Sequence, residues 1–507
     1  MYRHLWVIIA LNLLFTQPAR AQVSAQRPLW EGLDPGPHLV GFRSFWRRDR
    51  TRTFTMAVDQ DGKRLPVDPA RPVRINMWYP AQSGGRATTI ASYLDPARTP
   101  GFEAEESFIR DVDVGDGKGP GFRRIVALQS LYDALLSTPT AAHQDARVQP
   151  GHHPVVVYAL GQGDYTQEDI PFCEYLASRG FIVVSVPQLG TSPRRSVMFI
   201  HDAASYDVQV SDLAFGLATV LREFPEADPS RVGAIGMSMG GVYATLLALR
   251  NSAVRVVIGR DPSIIARPAP YFYKYWETPA FEPARFRGHM LIMYKQDPLP
   301  REKIVDSLRF ASRTLIRMPY VVHTDFTGYP QYSRTWPLTA IDSFALAQRT
   351  PEQAVTMYTA ATRYVGCYLD AILMRGQQDP KCKPIPGGEV EYLPASAGPS
   401  EEELYTVMRL QGLDRAAEIA TKPQRADLRR PVMLRIANEL GYAGRTREEA
   451  EYAELITVMF PDAESYEHAG DNWAEVGEAA RARSAYEQAL SLEPSRKGVR
   501  EKIAKLR

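Results

Sequence analysis

Cysteine is scarce in this chain, with three in 507 residues. A disulfide framework therefore cannot organise a fold of this length. Cys173, in "FCEYLASRGF", sits on an apolar helical face and reads as a buried thiol, while Cys367 and Cys382 are close enough in sequence to bridge a helix to the loop after it. None of the three reads as catalytic. Charge of one sign is also lacking: 60 basic side chains face 58 acidic ones, for a net +2. With no basic block in any region, nucleic acid is excluded as an expected partner. Metal-ligand spacings such as H-E-x-x-H are missing, and no G-x-G-x-x-G opens the first buried strand, so no metal or other cofactor is expected. Past the N-terminus there is no apolar run long enough to cross a bilayer.

What is present begins with "MYRHLWVIIALNLLFTQPARAQ". An early Arg3, an apolar run from Leu5 to Phe15 and the small-x-small Ala19-Arg20-Ala21 have the form of a cleavable secretory signal over residues 1–21. The run is short for a membrane anchor, and no cysteine at the cleavage point suggests a lipid. The expectation is a mature chain from near Gln22, exported to the periplasm or beyond.

Two strands, at 38–48 and 72–81, are predicted from β-branched and aromatic residues between turn signals, and residues 82–150 read as long and loop-rich with a helical stretch near 123–137. From 154 the pattern becomes an alternation of continuous apolar strands and amphipathic helices: "PVVVYALG", "FIVVSVPQLG", "RVGAIGMS", "VRVVIGRD", "GHMLIMYKQD" and a last strand near "LIRMPYVV". That alternation predicts an α/β fold with a mostly parallel sheet covered by helices on both faces, spanning 22–375. Residues 376–400, rich in Pro, Gly and Ser, read as a linker. The remainder, 401–507, reads as all-helical and repeats: Leu440, Gly444 and Pro461 recur thirty-three residues later as Trp473, Gly477 and Pro494. The second unit's Tyr466, Ala469, Gly470, Trp473, Gly477, Ala482, Tyr486, Ala489 and Pro494 closely resemble a tetratricopeptide repeat, two antiparallel helices packed through small residues. The pair at 401–422 reads as a further worn repeat or a cap.

The chemistry centres on "RVGAIGMSMGGVYAT", residues 231–245. Ser238 lies between Gly236 and Gly240, after an apolar strand and before an apolar helix. That context is the one in which G-x-S-x-G forms a nucleophile elbow, a strained turn where flanking Cβ atoms would collide. In a sheet of this kind the triad runs Ser, then Asp or Glu, then His. Of the histidines after 238, His468 falls in the repeat region and His289 begins a strand at the end away from ligand-binding tips, which leaves His323, in the loop "HTDFTGYP". Two acids end strands in reach: Asp261 and Asp297, each followed by proline and each also readable as a turn aspartate.

At these residues a resemblance becomes specific. Residues 36–375 resemble the α/β-hydrolase superfamily, in particular esterases of the platelet-activating-factor acetylhydrolase and dienelactone-hydrolase type. The family's opening pattern is matched by Gly36, Val40-Gly41, Arg52 and Trp78-Tyr79-Pro80, and its H-x-x-F by His323 to Phe326. The acetylhydrolase branch implies Asp261 as the acid; other branches imply Asp297. The family's S-H-G-x-G stands here as Ala159 to Gly163, which implies an oxyanion hole from the backbone N–H groups of Gln162 and Met239, with Leu160 in place of the usual histidine.

The resemblance implies a serine hydrolase acting on carboxylic esters through an acyl-enzyme, with a small-molecule ester as its substrate. A peptidase of the same fold and an inactive scaffold are the competing expectations. Tyr271, Phe272, Tyr273, Tyr275 and Trp276, within the insertion 262–287, read either as an apolar pocket for a lipid-like or aromatic ester or as packing alone. Residues 401–507 are expected to bind a protein partner or to self-associate.

Overall fold

The computed structural model describes residues 29–54, 69–94, 99–106, 129–162, 166–190, 203–265, 281–296, 304–335, 349–422 and 428–506. The signal-like segment 1–21, Asp297 and the aromatic run 271–276 lie outside them. The chain divides into two compact units, one ending at Pro394 and the other starting at Ala395.

The first unit is built on an eleven-stranded sheet. Its strands are β1 (Leu39–Thr53), β2 (Ala70–Ala81), β3 (Arg86–Thr89), β4 (Pro139–Gln144), β5 (His153–Ala159), β6 (Ile182–Ser185), β7 (Ala227–Met237), β8 (Val254–Arg260), β9 (His289–Lys295), β10 (Ser312–Met318) and β11 (Glu389–Leu393). They run in the order β11-β10-β9-β8-β7-β5-β6-β2-β1-β4-β3. The pairs from β6 through β5, β7, β8 and β9 to β10 are all parallel, whereas β1–β2, β2–β6, β3–β4 and β10–β11 are antiparallel. Every residue of β5 and of β2 is buried. In β5, Val155 and Val157 enter one core while Val156 and Tyr158 enter the other, the period of two expected where both faces are covered. Helices α1 (Ile170–Ser178) and α4 (Pro351–Leu369) cover the first core, and α2 (Ala203–Glu223) and α3 (Met239–Arg250) the second.

Three sequence expectations change. The stretch 82–150 contributes two strands, β3 and β4, which were too short and polar to show a period. The expected linker, 376–400, contains a strand of the sheet: β11 pairs antiparallel with β10, from Arg313↔Leu393 to Arg317↔Glu389. Its burial is slight, so it carried no apolar signal. In sequence, His152 and His153 precede a strand at the end away from the ligand-binding tips and read as solvated; His153 is instead buried, with Nδ1 3.1 Å from the Gly180 carbonyl and Nε2 3.0 Å from that of Gln149. The Cys367 and Cys382 sulfurs are bonded at 2.10 Å, and Cys173 is a buried thiol.

The second unit is helical: α5 (Glu401–Gln411), α6 (Leu413–Ala420), α7 (Arg430–Tyr442), α8 (Thr446–Met459), α9 (Ala463–Val476), α10 (Ala479–Leu492) and α11 (Lys497–Lys505). Ser400 and Glu403 cap α5 reciprocally, and Asp462 caps α9 through the Ser465 N–H at 2.8 Å. Gly444 and Gly477, thirty-three residues apart, both take positive φ, 71° and 84°, after α7 and α9. Gly470 allows α9 to meet α10 closely, since a Cβ there would stand 2.5 Å from the Tyr486 ring. No helix among the described residues is long and apolar enough to cross a membrane.

Candidate active site

The last residues of β7 are buried among parallel neighbours, and the chain must reverse sharply to start α3. Ser238 makes that reversal at φ 53° and ψ −124°, a region that non-glycine residues rarely adopt. Its flanks explain how the turn closes. A Cβ on Gly236 would lie 2.0 Å from the Gly240 carbonyl, and one on Gly240 would lie 2.0 Å from the Ala159 carbonyl oxygen. The turn is tied down from β8 and beyond: the Ser238 N–H donates to the Arg260 carbonyl at 3.1 Å, and the Ser238 carbonyl accepts from Ser263 N at 3.0 Å. Ser238 is left half-buried, with Met239 behind it at the first turn of α3.

Asp261 follows directly on β8 and also has positive φ, 43°. Its N–H donates to the Met293 carbonyl at 2.7 Å, and its carboxylate Oδ1 accepts from Lys295 N at 3.2 Å, so both ends are anchored on β9. The carboxylate's Oδ2 lies 2.6 Å from Nδ1 of His323. The Asp261 side chain is 7% exposed and that of His323 45%, so a buried carboxylate backs an accessible imidazole. With Nδ1 on Asp261, Nε2 is the nitrogen left for chemistry.

His323 opens a helical turn, His323–Phe326, beyond the C-terminal edge of β10. Phe326 is buried in the core, and Asp325 accepts from Val322 N at 2.9 Å. Arg349 grips the Asp325 carboxylate at 2.7 and 2.6 Å. Burial raises the Asp325 carboxyl, and the Val322 N–H and Arg349 oppose that rise. The loop carrying the imidazole is thus fixed by a bidentate ion pair that no motif announced.

Of the two implied oxyanion donors, Met239 is at the elbow and Gln162 is in the turn after β5. Leu160, in the family's histidine position, is buried in the core. The loop is supported from elsewhere: Gln188 Nε2 donates to the Leu160 and Gly161 carbonyls at 3.2 and 2.8 Å. Gln188 follows β6 and was invisible to a motif search, because its partners lie 28 and 27 residues away. His289 is held by Ser312 at 2.9 Å from its Nδ1, and His468 lies in the helical unit against Asn472.

A parallel sheet with a serine at a tight strand-to-helix turn in its middle, and an Asp–His contact at the same strand edge, fixes the architecture. The fold is that of the α/β-hydrolases. A family model described as Chlorophyllase matches residues 134–264, about a quarter of the chain, which includes Gln162, Ser238 and Asp261 but stops before His323. Among curated proteins there is no significant match. Solved structures that are similar include a ferulic acid esterase from Streptomyces cinnamoneus, 20% identical at TM-score 0.49, with 71% of this chain and 98% of that one covered. Another is a Bacteroides ovatus protein assigned as a dipeptidyl aminopeptidase IV, 15% identical at TM-score 0.33, with 59% of this chain and 35% of that one covered.

Proposed function

We propose that this α/β-hydrolase-fold protein is a serine hydrolase that cleaves carboxylic esters, with Ser238 as nucleophile, His323 as base and Asp261 as the acid that orients it. The contact of 2.6 Å between His323 and Asp261, on the same sheet edge as the Ser238 turn, carries this reading. Nε2 of His323 takes the Ser238 proton as the hydroxyl attacks the ester carbonyl. Asp261 holds the neutral ring with its proton on Nδ1 and stabilises the imidazolium once it forms, without taking that proton. The N–H groups of Met239 and Gln162 receive the oxyanion, and support of the 160–162 loop by Gln188 keeps the second donor aimed. The alcohol leaves with the proton returned by His323, and water repeats the cycle on the acyl-serine.

The sequence motifs favour an acetylhydrolase- or dienelactone-hydrolase-like subtype, and the acid after β8 rather than β9 is the feature that supports it. Export to the periplasm or beyond rests on residues 1–21, and a tetratricopeptide-like role for 401–507 on the thirty-three-residue recurrence. The deciding experiment treats the purified full chain with a fluorophosphonate probe and a panel of nitrophenyl esters. Wild type should label and turn over, and Ser238→Ala should do neither. A folded wild type that resists the probe and hydrolyses no ester would end the proposal.

A further inference from the structure

Behind the site lies a charge pair that the mechanism above does not use. Asp169, just before α1, is 1% exposed, and Arg260, the last residue of β8, is fully buried. The Arg260 guanidinium donates to the Asp169 carboxylate and stacks 4.2 Å from the Phe172 ring centre. The Tyr358 hydroxyl donates to Oδ1 of Asp169 at 2.8 Å, and the Tyr158 hydroxyl to Oδ2 at 3.2 Å. Burial raises the Asp169 carboxyl, with Arg260 the largest influence against it. Well-packed apolar residues of similar size often hold a core as well as such a buried pair does, so the pair is weak evidence of a stabilising role.

What the pair touches is more telling. Arg260 gives its carbonyl to the Ser238 N–H and is followed in the chain by Asp261. Tyr158 lies on β5, four residues before Gln162, and Tyr358 on α4, which packs beside the His323 turn. The neighbouring Glu168 carbonyl accepts from Gly328 N at 2.8 Å, tying down the chain five residues beyond His323. The end of β8, strand β5, helix α4 and the chain just beyond His323 therefore each contact residue 168 or 169.

Resting on the serine-hydrolase reading above, we propose that Asp169, through Arg260, is a positioning residue that sets the relative placement of Ser238, Asp261 and His323. Rigid dipolar contacts at one point fix direction as well as distance, which apolar packing does not. A shift of about 1 Å in such a constellation costs about a hundredfold in rate.

The test compares wild type with the double variant Asp169→Leu/Arg260→Met, which removes both charges and keeps the core filled. The expected result is a folded variant whose melting temperature falls only by what the Tyr158 and Tyr358 hydroxyls lose with their acceptor, with kcat and the fluorophosphonate labelling rate both down about 10–100-fold and KM changed by no more than about twofold. The low-field proton resonance of His323 Nδ1 should weaken or move in the same variant. A folded double variant with wild-type kcat and an unmoved resonance would overturn the proposal. If the double variant does not fold, Tyr358→Phe decides, since it removes one hydroxyl from Asp169. A lowered kcat at unchanged melting temperature supports positioning, and an unchanged kcat overturns it. Failure of the underlying reading looks different, because wild type itself would then neither label nor turn over.

Discussion

The two units differ in how they hold their charges. In the sheet unit several charged groups are taken inside and satisfied from far along the chain. Glu174, fully buried, accepts from Trp30, Tyr93 and the N–H groups of Ala141 and Ala142, and the Trp30 contact spans 144 residues. Asp212, buried, is gripped by Arg71 from 141 residues away. The His323–Asp261 contact spans 62 residues. In the helical unit many pairs lie nearer the surface: Arg445–Glu448 and Arg415–Glu418 are one turn apart, and Glu467 reaches Arg496 and Lys502, 29 and 35 residues on. Long-range burial builds a place where a few groups meet in one geometry. Local pairing builds a surface that can be read, and changed, one turn at a time.

That contrast can be broken by mutation, and the largest effect belongs to the site. Asp261→Asn should lower kcat by about a thousand- to ten-thousandfold, measured with a nitrophenyl ester, while the melting of both units stays near wild type. Next is Gly240→Ala, whose methyl would meet the Ala159 backbone at 2.0 Å. Calorimetry should show the sheet unit losing about 3 kcal/mol and esterase activity vanishing, with the helical transition unmoved. Gly470→Ala is the mirror experiment, with its methyl 2.5 Å from Tyr486. It should cost the helical unit about 1–3 kcal/mol and leave esterase turnover unchanged. A fall in turnover with Gly470→Ala would mean that the units do not behave independently.

The smallest effect is electrostatic. In Glu467, burial raises the carboxyl but the Lys502 and Arg496 contacts overcome this and hold it below its ordinary value. A depressed carboxylate contributes stability above its unfolded value, near pH 4.3, and that contribution is lost as pH falls through its folded value. Hydrogen exchange should therefore show α11 losing protection as pH drops below about 4.3, before the β5–β7 core does. Salt at about 1 M should loosen the same contact by a few tenths of a kcal/mol, while the buried Arg71–Asp212 pair stays unscreened.

Local pattern carried much of the architecture. Continuous apolar strands from β5 to β10 spelled a parallel sheet, and the recurrence of Gly444 and Gly477 marked two like helix ends. Both signals are periodic, and periodicity needs only neighbours in the chain. Ser238 was legible for the same reason: its turn is a local steric event, written in the glycines on either side. His323 followed by elimination, because chain order and strand edge left one histidine.

The rest depended on where the chain returns. Two aspartates ended strands with the same local look, and only the packing of β8 against β9 sets Asp261 under the imidazole. The support of the 160–162 loop by Gln188, the grip of Arg349 on the His323 turn, the sheet contact of β11 and the meeting of Arg260 with Asp169 have no sequence period at all. Each joins side chains whose separation in the chain carries no information about their distance in space. Sequence alone therefore determined most of the elements and the turn at Ser238. Tertiary structure decided which partners those elements share, because a buried polar group takes its partner from whatever the fold brings beside it.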